Sequence, residues 1–136
     1  MSLNRDDILQ AQDVHVEKVF VPEWAKDKNK PKEAFVFVKN MTGDERDLYE
    51  GSILRDKKGN VVMEQVRAKL VACTACDENG ELLFTTKDIA ALGKKSAAAL
   101  QRVFDAAVKL NAISKQDIDE LADNLEKNPL DGSASD

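Results

Sequence analysis

Apolar residues fall at helical spacing in two long stretches of this chain and at strand spacing in two shorter ones. Over residues 96–110 (SAAALQRVFDAAVKL), Leu100, Val103, Phe104, Ala107 and Val108 recur at i, i+3, i+4 intervals and predict an amphipathic helix. Residues 65–76 (QVRAKLVACTAC) are apolar around most of a helical circumference, with Val66, Leu70 and Cys73 on one face and Ala68, Val71 and Ala72 widening it. A helix of that kind is buried on more than one side. Arg67 and Lys69 alone break the run, and their stems are long enough to lift both charges to the surface. Residues 77–80 (DENG) then supply the Asn and Gly that tolerate positive φ, so they are expected to stop this helix.

The strand-like stretches come earlier. Residues 14–21 are rich in β-branched side chains. Alternation puts Val14, Val16, Lys18 and Phe20 on one face and His15, Glu17, Val19 and Val21 on the other. Neither face is clean, which predicts a bulge or a strand covered partly on both sides. Pro22 ends it. A lysine-rich loop leads to residues 33–38 (EAFVFV), a second strand that most simply pairs antiparallel with the first. Residues 82–84 (LLF) read as a short third strand.

Capping chemistry places the other helices. Ser2 or Asn4 can cap a short helix over residues 5–12, with Ile8 and Leu9 as its core contacts. Thr42, followed three residues later by Glu45, forms a capping box. Its helix is expected to run to residue 54, burying Leu48, Tyr49 and Ile53, with Arg46 and Glu50 paired on its surface. Residues 56–60 (DKKGN) are a turn, read as a link between helices in preference to a hairpin. A short helix over 87–92 ends at Gly93, Asn111 stops the amphipathic helix, and a last helix over 118–125 carries Ile118, Leu121 and Leu125 on one stripe. The expected fold is α+β: a small antiparallel sheet of about three strands packed with about five helices, the C-terminal half mainly helical. Residues 1–128 form a single domain, and residues 129–136 are a disordered acidic tail.

Charge sharpens this picture. The net charge of −5 lies wholly in residues 114–136, where Lys115 and Lys127 face seven acids. A neutral body with an acidic end argues against nucleic-acid binding. No apolar run reaches the ~18 residues a bilayer span needs, and the polar N-terminus is neither a signal nor a transit peptide. A cytoplasmic protein is therefore expected.

The chemistry-bearing residues are few. Cys73 and Cys76 form a C-x-x-C at the end of the apolar helix, where the dipole opposes a thiolate, and no second ligand pair accompanies them. Buried, metal-free thiols are expected, with a redox protein as the minor alternative. His15 has no nucleophile or carboxylate at an informative spacing. An EF-hand alignment of the DENG turn would put Ala75 where the first Asp ligand belongs. No cofactor, metal or catalytic activity is expected. Trp24, between Pro22–Glu23 and the lysine-rich loop, is either a core plug or an interaction anchor.

The order of several stretches resembles the tail assembly chaperones of long-tailed (siphovirus-type) bacteriophages and prophages. They are residues 19–24 (VFVPEW), 41–47 (MTGDERD) before a helix, 66–72 (VRAKLVA), 77–84 (DENGELLF), and 88–93 (DIAALG) leading into 97–111. The resemblance implies a non-enzymatic protein that binds the tape measure protein, a helical client, and keeps it soluble while tail-tube subunits polymerise around it. It also implies absence from the mature virion, self-association into rings or spirals, contact with tail-tube subunits, and often a longer form made by ribosomal frameshifting. A generic protein-interaction or adaptor domain is the alternative. Trp24, Leu100, Val103, Phe104, Ile118 and Leu121 are the candidate partner-binding residues, with intramolecular core as the competing role of the helical ones.

Overall fold

The computed structural model describes residues 1–52, 57–60 and 63–113. The expected last helix with Ile118 and Leu121, the tail at 129–136 and the core role of Ile53 lie outside the described residues. Within them the fold is α+β. A three-stranded antiparallel sheet of order β1-β2-β3 combines β1 (Val16–Phe20), β2 (Phe35–Lys39) and β3 (Ala75–Cys76). It packs with helices α1 (Arg5–Leu9), α2 (Gly43–Gly51), α3 (Met63–Thr74), α4 (Ile89–Leu92) and α5 (Ala97–Leu110).

The central pair forms as its side chains dictate. β1 meets β2 in one unbroken register from Val16–Lys39 to Phe20–Phe35, so the expected bulge is absent. Val19, Val36 and Val38 face the core, while Lys18, Phe20, Phe35 and Phe37 share the outer face. Pro22 opens a one-turn 3-10 helix (Pro22–Trp24), and a bridge from Arg102 to Glu23 at 2.9 Å ties that turn to α5.

Helices α3 and α5 supply most of the core. Val66, Ala68, Leu70 and Val71 of α3 meet Ala99, Leu100, Val103, Phe104 and Ala107 of α5 in one buried cluster that also takes Val38 and Tyr49. Ser96 caps α5 through a bond from the Ala99 amide. Asn111 closes it as expected and does more: its side chain accepts from the Met41 amide at 2.6 Å and donates to the Ala107 carbonyl at 2.9 Å. The end of α5 is thereby pinned to the β2–α2 link.

Four expectations need correction. The apolar helix stops two residues early, at Thr74, and Cys76 belongs to a strand. Thr74 turns its hydroxyl back onto the Leu70 carbonyl at 2.6 Å, and Ala75 and Cys76 then pair with Val38 and Phe37 on the free side of β2. The third strand is therefore Ala75–Cys76, and Leu82 joins it only through an isolated bridge to Cys76. Residues 77–80 close this hairpin instead of ending a helix. The Asp77 carboxylate accepts from the amides of Asn79 and Glu81, and Gly80 takes φ +86. Finally, α1 ends at Leu9, with Asn4 and Asp7 in a complete capping box, and buries nothing: Ile8 and Leu9 remain exposed.

The Thr42–Glu45 capping box is present, with Thr42 accepting from the Glu45 amide at 3.2 Å and Glu45 from the Thr42 amide at 2.9 Å. Thr42→Ala should cost about 1 kcal/mol in denaturant melts, and Asp44→Ala, one residue off the box, should cost less. The surface pair Arg46–Glu50 also forms, at 2.9 Å.

Candidate functional site: an apolar groove

Helix α2 carries Leu48 and Tyr49 side by side, and a helix packed on one face cannot bury both equally. Tyr49 goes inward and Leu48 is 58% exposed, against the expectation that both are core. Burial pushes the Tyr49 hydroxyl up to about 12, and among the described residues it has no hydrogen-bond partner.

Leu48 faces a cavity of about 310 Å³ between α2, α3 and residues 82–89. Leu82, Phe84 and Ile89 form its far wall, and Ala72 and Cys73 of α3 its floor. A one-turn 3-10 helix (Thr86–Asp88), capped by Thr85, holds Phe84 and Ile89 in place on that wall. Leu48 and Leu82 are exposed, and Phe84 and Ile89 are half-buried. The groove is thus apolar and open.

Three ionisable groups lie along it. Glu45 is held by Lys39, whose Nζ donates to both carboxylate oxygens at 2.8 Å. Burial alone would raise the Glu45 pKa, but the hydrogen bonds from Lys39 and Thr42 outweigh it, and the group sits below its ordinary 4.5. A carboxyl lowered in the folded state contributes stability that is fully present above its unfolded pKa and is lost as pH falls through the folded one. Melts from pH 6 to pH 2 should therefore show a loss of stability below the ordinary carboxylate range, and Glu45→Gln should flatten that part of the profile.

Cys73 is half-buried at the end of α3, and Cys76 is buried in β3. Two buried thiols on the apolar helix were expected; Cys76 is buried but lies in a strand, and Cys73 is helical but only half-buried. Burial pushes both thiols above their ordinary value, and Glu45 adds to this at Cys73. Raised thiols are poor nucleophiles at neutral pH. Labelling of the native protein should be slow at Cys73 and slower still at Cys76, read by mass spectrometry. Rapid modification of Cys76 would count against the described packing. Lys69 is the third group. Its stem was expected to lift it to solvent, yet it is 5% exposed, with Nζ donating to the Ser52 carbonyl at the end of α2.

The residues singled out from sequence do not gather here. Leu100, Val103 and Phe104 are core, 7% exposed at most, so a partner cannot reach them without unfolding α5. Trp24 is half-buried and packs against the core from the loop side. It also lines a cavity of about 400 Å³ with Lys26, Lys30 and Phe35, beneath the solvated lysine loop. Ile118 and Leu121 lie outside the described residues. Sequence reasoning missed Leu48 and Leu82 as exposed residues and Phe84 and Ile89 as half-buried lining of the same groove. Single apolar positions in short elements carry no periodicity that separates groove from core.

A second apolar surface lies on the outer sheet face. Register sets Lys18, Phe37, Cys76 and Leu82 in one row and Phe20 beside Phe35 in the next. Phe35 stacks edge-on with Phe20 and Phe37 at 6.2 and 5.3 Å, and the Lys18 ammonium sits 4.4 Å above its ring.

No family model matches the chain, and no curated protein or solved structure matches it significantly. Among the described residues no helix is long and apolar enough to cross a membrane, and no group of three or more His, Cys, Asp or Glu side chains could hold a metal ion.

Proposed function

We propose that this protein is a non-enzymatic tail assembly chaperone of a long-tailed phage or prophage. It binds the tape measure protein in the host cytoplasm, keeps it soluble while the tail tube is built, and leaves before the virion matures. The observation that carries this reading is the open groove of Leu48, Leu82, Phe84 and Ile89. It offers apolar walls to a client helix, the arrangement by which amphipathic helices dock in grooves. The ordered stretches between residues 19 and 111 add the phage assignment. Four of them, residues 41–47, 66–72, 77–84 and 88–93, contribute lining residues to the groove, while 19–24 and 97–111 lie outside its lining.

Self-association belongs to the same proposal. Its surface is the aromatic outer face, and α1, with Ile8 and Leu9 exposed and Leu3 exposed just before it, is an element that could join it. Large exposed apolar patches mark interaction sites.

The test is co-expression with overlapping segments of the tape measure protein encoded beside it. At least one segment should become soluble and co-purify. If none does while the protein alone is folded and monodisperse, the chaperone reading is wrong and a general adaptor domain takes its place.

A further inference from the structure

The groove holds a charge that has no counter-charge among the described residues. Lys69 is 5% exposed on α3, between the buried Ala68 and Leu70. Its ammonium donates to the Ser52 carbonyl, the C-cap of α2, where the helix dipole favours a cation. Among the described residues no carboxylate pairs with it. Glu45, the acid that shares the groove, is committed to Lys39 and to the Thr42 amide. A buried charge without a counter-charge is costly, and an anion brought to it in a dry site is held strongly. Burial also lowers the Lys69 pKa, which fits a site where a counter-charge has yet to arrive.

We propose that the groove selects an amphipathic helix that carries one Asp or Glu within its apolar stripe, the carboxylate pairing with Lys69. The proposal rests on the reading of the groove as the client site and names the chemistry of the client. A helix is about 10 Å or more across, and a cavity of about 310 Å³ cannot enclose one. The helix lies over the groove and inserts side chains. Its apolar residues at i−4 and i+3 meet the wall formed by Leu48 on one side and by Leu82, Phe84 and Ile89 on the other. The acid between them reaches the floor.

Two synthetic 18-residue amphipathic helices serve as probes, identical but for Glu or Gln at the centre of the apolar stripe. Calorimetric titration of the wild-type protein should give about tenfold or more tighter binding of the Glu peptide, the worth of a charge-assisted hydrogen bond. Lys69→Met should bind the two peptides alike. It should also melt no lower than wild type, because it removes a desolvated charge and fills the same space. Equal binding of the two peptides by the wild type overturns the pairing with Lys69 and leaves the groove standing as a client site. Binding of neither peptide overturns both. A Met variant that kept the Glu preference would assign it to another cation and overturn the proposal; if Lys69→Met does not fold, Lys69→Gln, which keeps a donor for the Ser52 carbonyl but no charge, takes its place in the same comparison.

Discussion

Phe104→Ala is expected to destabilise the protein by about 3–5 kcal/mol, a large fraction of the stability of a domain this size. Phe104 is 7% exposed and belongs to the buried cluster that forms where α5 meets α3. That cluster is anchored by both ends of α5, so the hole cannot close by a small shift. Ser96 holds one end and the bonds of Asn111 to Met41 and Ala107 hold the other. Urea melts followed by circular dichroism would show the midpoint fall with the slope unchanged. Any loss of client binding in this variant would be a loss of fold. A variant that kept its midpoint would mean that Phe104 is at the surface after all.

Leu48→Asp combined with Leu82→Asp should have the opposite profile, abolishing client capture and leaving the melt nearly unchanged. The two side chains are 58% and 38% exposed, so their removal costs the core little. Both substitutions place carboxylates in the groove walls, where a client's apolar side chains would have to desolvate them. Wild-type protein that solubilises a tape measure segment should lose it in the double variant, with soluble yield of the protein itself maintained. Retained capture would move the client site off this groove. A matched pair on the sheet face, Phe20→Ser with Phe35→Ser, should spare client capture.

Much of the fold was legible because it rests on near neighbours. The capping box at Thr42 involves residues three apart, and the stripe on α5 repeats with the helix itself. The pairing of β1 with β2 follows from two β-branched runs adjacent in the chain, with a polar lysine-rich loop and no helical pattern between them to carry a crossover. The candidate site was far less legible. Leu100, Val103 and Phe104 drew attention as an apolar stripe, and a stripe has the same spacing whether it faces a partner or the protein's own core. Leu48, Leu82, Phe84 and Ile89 sit singly in short elements, and only their convergence makes a groove.

The chain's own pattern determined an α+β fold over the described residues, the N-cap of α2 and the stop of α5, and the antiparallel pairing of its first two strands. Tertiary structure decided what local pattern leaves degenerate. Ala75 and Cys76 extend an apolar helix equally well on paper, and they became a strand because Phe37 and Val38 offered unpaired backbone beside them. Lys69 could have reached water, but the end of α2 lies over it and supplies a carbonyl instead. Tyr49 and Leu48 compete for one interior position on α2, and the rotation that lets Glu45 meet Lys39 goes with Tyr49 inward. Periodicity reports which face of an element is apolar. Which faces then meet depends on contacts between residues far apart in the chain, and these leave no periodic trace in it.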